Sequence, residues 1–384
     1  MKKCILVIGV RRQCYQAALE LGYDVVLWSD ETLNKSRKKD LLGWIEQSYS
    51  DNSKALSDEL VGELKKYDIQ HVVSNTEETV ILGARVRDHL GFGGMSIEQT
   101  ASFHDKWAMK NSATKHGIPI TKYKIIDEQT TSKDLEQYLG LPLVVKPVDE
   151  SGAQDVKVAR TTKEIDLFMK PGLLAEAFVK GSEVSIETFI ENGKPIFHNI
   201  TEYLHQWRKS VVPAQLEKEL ETKLLELNDK VIKEFGVDNG MTHAEFYLTD
   251  DGPVFGEIAI RPPGGYYMDL IKRVYGFNSW QLYVSLCCGL GSTDYKFSKN
   301  GCGAVFIIHP GAGKIKSIEG LADIKENIKD IFDYSIRREV GDIILAHENT
   351  SNEVGHILFW NENREKIDLD FDFIESNLKF NFEE

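Results

Sequence analysis

In residues 241–265, MTHAEFYLTDDGPVFGEIAIRPPGG, two acids and a base stand among apolar neighbours: Glu245, Glu257 and Arg261. Alternation puts His243, Glu245 and Tyr247 on one side of a strand, and Thr242, Ala244, Phe246 and Leu248 on the other. Thr249-Asp250-Asp251-Gly252-Pro253 reads as a turn, and Val254 to Ile260 returns as a second strand. An antiparallel pair joined there brings Glu245 beside Glu257, and two carboxylates in a half-buried sheet repel unless a cation lies between them. Oxygen donors of this kind suit Mg²⁺ or Mn²⁺, with water and substrate phosphates completing the shell. Arg261, on the face of Glu257, offers a planar cation to a carboxylate or phosphate oxygen. The Pro262-Pro263-Gly264-Gly265 that follows is a rigid entry and then bare backbone that a ligand can approach. An exposed hairpin with two solvated acids would carry the same letters; the apolar neighbours favour a site. His243, sharing the face of Glu245, is a candidate for substrate contact, with a purely structural histidine as the alternative.

The elements that must position these residues belong to a chain of 384 residues, more than one ordinary hydrophobic core holds, so two or three domains are expected. An apolar fraction of 42% suffices for cores, while a net charge of −14 with no basic stripe argues against a nucleic-acid partner. Lys2-Lys3 and the apolar run from Cys4 to Val10 resemble the start of a secretion signal, but the run is short and ends in Arg11-Arg12. A buried first strand is the better reading. No run reaches the roughly 18 apolar residues of a membrane span, so no membrane partner is expected. Five scattered cysteines, two of them adjacent at 287 and 288, suggest core thiols in a cytoplasmic protein and neither a disulfide framework nor a metal site.

Residues 4–10, 12–21 and 24–28 read as strand, helix and strand; a helix over 57–67, a strand over 69–74 and a helix over 79–90 continue the alternation. A parallel sheet with crossover helices follows. The segment lacks GxGxxG, so it scaffolds the site without holding a dinucleotide. Residues 96–117 form a helical linker in which Asp105-Lys106 opens an amphipathic stretch. Leu143 to Pro147 is a strand carrying Lys146, followed by the small-residue loop 149–155 and a strand over 156–159. Backbone N–H groups of such a loop can face phosphates, though an ordinary hairpin fits equally. Glu176 ends another apolar strand, and Glu183, Ser185 and Glu187 form one acidic face of the next; a solvated strand face accounts for Glu187 more readily than for Glu176. A charged amphipathic helix runs over 216–235 and another helix over 279–288, and residues 301–384 read as a β-rich closing portion.

Taken in order, Asp105-Lys106, Val144-Val145-Lys146-Pro147 with its loop, Glu176 with Glu183, Glu245, and Glu257 with Arg261 resemble the ATP-grasp carboxylate-amine ligase family over nearly the whole chain. The resemblance implies an α/β (α+β) ATP-grasp fold: a parallel-sheet preATP-grasp domain over 1–95, an ATP-grasp domain over 96–300 with a nucleotide-covering lobe near 120–185, and a C-terminal β-rich subdomain over 301–384. It implies ATP and Mg²⁺ as cofactors. Lys106 and Lys146 would contact phosphates under a loop including Ser151 and Gly152. Glu176, Ala177 and Val179 would read adenine, and Glu183 would hold ribose. Glu245 and Glu257 would bind the metal. Arg261, Gly264 and Gly265 would face the acyl phosphate, with Lys209 a candidate for the γ-phosphate.

One departure bears on the substrate. The family's Glu-x-Asn metal motif is Glu257-Ile258-Ala259 here, a change that resembles bacterial L-amino-acid ligases. The implied activity is therefore phosphorylation of a small carboxylate, an amino acid first of all, and its union with an amine, releasing ADP and phosphate. Phosphoryl transfer asks for positioning and charge neutralisation and needs no nucleophilic side chain, consistent with the lack of a Ser/His/Asp or Cys/His arrangement in the sequence. The alternatives are a ligase for another small carboxylate, bicarbonate or a purine precursor, and an inactive nucleotide-sensing protein on the same scaffold. The partners implied are small-molecule carboxylate and amine substrates, and a homodimer of the kind common in the family.

Overall fold

The first strand, Cys4–Ile8, is buried along its whole length and pairs in parallel with Asp24–Ser29 and Ile69–Ser74, while Gly43–Glu46 closes the sheet beyond Asp24–Ser29. Its apolar run is continuous because both faces are covered: Ile5 and Val7 enter one core, and Cys4, Leu6 and Ile8 another. The strand stops at Gly9, whose φ of +112° and press against Asn75, 2.1 Å from where a Cβ would stand, leave room for no side chain. The computed structural model describes residues 2–149, 155–205, 208–345 and 353–383. The helix expected from residue 79 begins two residues earlier, as Glu77–Leu90, because the Thr79 hydroxyl accepts from the Thr76 N–H and closes the N-terminal turn there.

The central sheet has eight antiparallel strands, ordered Gly252–Ala259, Gly240–Thr249, Ser182–Glu191, Lys194–His205, Lys209–Val212, Cys302–Ile308, Gly355–Asn361 and Ile331–Ile336. Three of these strands come from the closing portion of the chain. They continue the same sheet because Lys209–Val212 pairs with Cys302–Ile308. A three-stranded sheet of Gly313–Glu319, Ile343–Ile344 and Lys379–Phe382 completes that end.

One face of the central sheet is dry. Val184, Ile186, Ala244, Phe246 and Ile258 pack with Leu224, Val231 and Ile232 of the helix Lys218–Phe235, whose apolar residues recur at helical spacing. Over the opposite face lie the helices Tyr267–Tyr275 and Ser279–Cys287, whose Met268, Leu270, Ile271 and Val284 share one core with Ile5, Val7 and Phe189. The parallel sheet is thereby joined to the central one without a separate interface, and Tyr283 OH donates to Ser74 O across the join. The remaining lobe is the sheet Tyr123–Ile125, Leu174–Ala177, Leu143–Lys146, Lys157–Ala159, backed by the helices Ser132–Leu139 and Thr162–Phe168. Among the described residues no helix is long and apolar enough to cross a membrane.

Candidate active site

Glu245 and Glu257 are register partners across the antiparallel pair of Gly240–Thr249 and Gly252–Ala259. Residues directly opposite point to the same side with Cβ atoms roughly 4.5–5.5 Å apart, so the two acidic side chains leave the sheet side by side on one face. The same face carries Glu183, Ser185 and Glu187 of the next strand, opposite Tyr247, Glu245 and His243 respectively. Alternation thus separates a polar face from the dry one, as the sequence pattern predicts.

Lys106 opens the helix Lys106–Lys115, set by Asp105, whose Oδ1 accepts from the N–H groups of Trp107 and Ala108 at 2.8 and 3.0 Å. Its Nζ lies 3.8 Å from Glu257 Oε2. Lys146 ends a strand whose Leu143 and Val145 enter the lobe core, so the lysine projects from the other face. There it meets Glu176 Oε1 at 3.0 Å, and Lys110, which sequence reading passed over, meets the same atom at 3.3 Å. Burial alone would raise the Glu176 pKa, but the two lysines outweigh it and hold the carboxyl below its usual range. The Ala177 N–H donates to Lys122 O at 2.9 Å, and its carbonyl accepts from Thr121 Oγ1 at 2.8 Å, so this backbone is tied into the lobe; Val179 lies half-buried two residues on. Ser151 and Gly152 lie outside the described residues.

Glu187, which a solvated strand face would explain, is instead fully buried. Its oxygens accept from Ser185 Oγ at 2.7 Å, Asn199 Nδ2 at 2.6 Å and Thr201 Oγ1 at 2.6 Å, and His243 Nδ1 lies 3.0 Å from Oε1. The other nitrogen, Nε2, is 3.5 Å from Glu245 Oε1, which also accepts from Tyr203 OH at 3.3 Å. Burial would lower the His243 pKa; the bonds and charges of Glu187 and Glu245 override it and push it up to about 9. Glu245 is lowered in turn, with His243, Lys146 and Tyr203 outweighing its burial. Both nitrogens of His243, expected to touch substrate, are engaged by carboxylates of the protein itself.

Arg261 donates Nε to Glu77 Oε2 at 2.6 Å, and Oε1 of the same carboxylate lies 3.2 Å from His104 Nδ1. Arg11, from the loop after the first strand, donates to the carbonyls of Pro262 and Pro263, fixing the Arg-Pro-Pro segment from the N-terminal side. Gly264 is open, while Gly265 has φ +61° and a Cβ there would stand 2.8 Å from the Tyr267 ring. A cavity lined by Glu77, His104, Lys106, Glu257, Ala259 and Arg261 collects these groups. Lys209 is not among them. It shares the face of Val211, which packs in the C-terminal core, and its Nζ pairs with Glu375 at 3.2 Å beside Phe371, whereas Ser210 turns the other way, 2.9 Å from Tyr267 OH.

Two residues not singled out from the sequence carry much of this geometry. Glu77 falls just before the helix expected over 79–90, and only the structure puts it in that helix's first turn. Lys110 could have been found from its spacing, four residues after Lys106 and so on the same helix face.

A ligand for the acid pair must accept two carboxylates and no third. Among the described residues there is no group of three or more His, Cys, Asp or Glu able to hold a metal ion. Mg²⁺ fits such a donor set, since it takes one or two carboxylates and keeps water and phosphate for the rest.

Residues 111–269 match the ATP-grasp domain family, a span that includes Lys146, Glu176, Glu245, Glu257 and Arg261 and begins just past Lys106 and Lys110. The L-arginine-specific L-amino acid ligase of Bacillus subtilis is 23% identical over 323 residues, 79% of this chain and 78% of that protein. D-alanine–D-alanine ligase B of Chromobacterium violaceum is 26% identical over 203 residues, 49% of this chain and 67% of that one. The crystal structure of the L-amino acid ligase from Bacillus licheniformis superposes with a TM-score of 0.86 at 20% identity, covering 100% of this chain and 99% of that one, which establishes the likeness of fold.

Proposed function

We propose, from the premise that residues 111–269 form an ATP-grasp domain, that this chain is an ATP-dependent carboxylate-amine ligase. In this reading it phosphorylates the carboxylate of an amino acid and joins the activated acyl group to an amine, releasing ADP and phosphate. The observation that carries the reading is the pairing of Glu245 with Glu257 in one register, with Lys106 Nζ 3.8 Å from Glu257, Lys146 responding electrostatically to both acids, and Arg261 two residues past the end of the same strand. Glu176, Glu257 and Glu245 together raise the Lys146 pKa against burial, which supports one cation serving both the nucleotide side and the acid pair.

Glu245 and Glu257 would hold Mg²⁺ or Mn²⁺, which supplies neutralisation of charge on the transferring phosphoryl group. The protein's own residues do the rest. Lys106 and Lys146 attract and align the phosphates, and Glu183, the strand partner of Tyr247, would hold the ribose of the same nucleotide. Arg261, held in orientation by Glu77 and by the bond its Nη1 donates to Pro262 O, would present its other N–H groups to the oxygens of the activated carboxylate. His243 and Tyr203 engage Oε1 of Glu245 and so orient the carboxylate that, with Glu257, would hold the ion. The lobe around Lys146 and Glu176 shields the acyl phosphate from water.

The amino-acid class is supported by the relative from Bacillus subtilis and by Ala259, which removes a third oxygen donor from the metal motif. ADP release measured over pairs of L-amino acids tests this, with bicarbonate and other small carboxylates as parallel arms. Stimulation by amino acids is the expected result. A folded protein that binds ADP but releases none in response to any amino acid would sink the assignment, and a response to bicarbonate alone would reassign the substrate.

A further inference from the structure

Lys110 has no part in the chemistry above, yet it is a lysine with 1% of its surface exposed. Its Nζ and that of Lys146 converge on one oxygen of Glu176, at 3.3 and 3.0 Å. Burial lowers the Lys110 pKa, with Glu176 opposing and the positive charge of Lys146 adding to the fall. Two ammonium groups on one buried oxygen repel each other, so the cluster holds more positive charge than Glu176 alone requires.

The two lysines differ in where they can go. The Lys146 side chain, at the end of its strand, is 16% exposed; that of Lys110, inside its helix, is 2% exposed. Phosphates arriving beside the acid pair can therefore draw Lys146 and cannot draw Lys110. With Lys146 gone and nothing behind it, the buried Glu176 would be left as an uncompensated charge, which a low-dielectric site tolerates poorly. We propose that Lys110 is a positioning residue for nucleotide binding: it remains on Glu176 as a fixed counter-ion and so releases Lys146 to the phosphates. This inference rests on the nucleotide-binding reading given above.

The test is calorimetric titration of ADP into the full-length chain in EDTA, where turnover plays no part. Absence of binding by the wild type would remove the nucleotide reading itself, and this role with it. With binding established, Lys110→Met is expected to weaken ADP at least about tenfold, roughly 1.4 kcal/mol, and Lys110→Arg to recover most of that. Wild-type affinity in a folded Lys110→Met protein overturns the role. A second comparison sets Glu176→Gln against the double variant Lys110→Met/Glu176→Gln. With no carboxylate to hold, Lys110 has nothing to release, and the two should bind ADP within about twofold of each other. A further tenfold loss in the double variant overturns the proposal. That comparison holds even where Lys110→Met alone does not fold, since the double variant buries no unpaired acid.

Discussion

Arg261 donates its Nε to Oε2 of Glu77 at 2.6 Å, across a sequence separation of 184 residues. The guanidinium just past the end of the strand Gly252–Ala259 is thus oriented by the first turn of Glu77–Leu90, a helix that follows a strand of the N-terminal sheet. Burial would raise the Glu77 pKa, but His104 and Arg261 outweigh it and bring it down to about 2, so the carboxylate is ionised at neutral pH.

Glu77→Gln keeps the shape of that side chain and removes its charge. We expect kcat for amino-acid-stimulated ADP release to fall about 10- to 100-fold, as for any reacting group displaced by a fraction of an ångström to an ångström. ADP affinity should move far less, since Glu77 does not touch the lysine cluster. Steady-state kinetics beside calorimetric titration separates the two effects, and an unchanged kcat would refute the orienting role.

Removing one carboxylate of the facing pair acts on the other side of the same cleft. Glu257→Gln should cut kcat by about 10³ or more while ADP binding in EDTA persists, because neutralisation of the transferring group is lost and the adenine side is untouched. EDTA should silence the wild type in the same assay. Turnover that survives either treatment would count against a metal held by Glu245 and Glu257.

Glu187 accepts hydrogen bonds from Ser185, Asn199 and Thr201 and an ion pair from His243 in a fully buried setting. Glu187→Gln turns an amide N–H₂ towards those donors. The expected loss is about 3–5 kcal/mol of unfolding free energy in urea, the range for breaking a buried charged network. A loss below about 0.5 kcal/mol would mean that the network is not closed as described.

Asp269, in the first turn of Tyr267–Tyr275, has its pKa raised to about 6, chiefly by burial and secondarily by Asp333, against the opposing charges of Lys272, His356 and Arg11. A raised folded value means that the native state binds the proton more tightly than the unfolded chain, whose ordinary value is 3.8. This group therefore costs stability above pH 6 and the cost fades as pH falls towards 4. Asp269→Asn should raise Tm at pH 7.5 by a few degrees, corresponding to about 1–3 kcal/mol at most, and change it little near pH 4. Thermal melts of both proteins across that window check the sign; an equal effect at both pH values would refute it.

Much of the fold can be read from the sequence because it rests on local periodicity. Alternation in residues 241–260 assigns Thr242, Ala244 and Phe246 to the core and His243, Glu245 and Tyr247 to the cleft, and the burial follows that division. The antiparallel facing of Glu245 and Glu257 follows from the turn between them. Glu187 was not legible, because period 2 gives the face a residue lies on and says nothing of what covers that face; here Tyr203, Tyr267 and Tyr275 do. The course of the last part of the chain was equally hidden, since pairing of Lys209–Val212 with Cys302–Ile308 depends on contacts about ninety residues apart.

The sequence by itself determined which residue types could do phosphoryl-transfer chemistry, their order, and the two acids that must stand side by side, since a strand, a tight turn and a strand allow little else. Tertiary structure decided how those groups are held. It set Glu77 on Arg261, Lys110 beneath Glu176 and His243 between two carboxylates, and it turned Lys209 away to Glu375. Charges need partners when they leave water, and the nearest partner in space is fixed by packing between elements far apart in the chain.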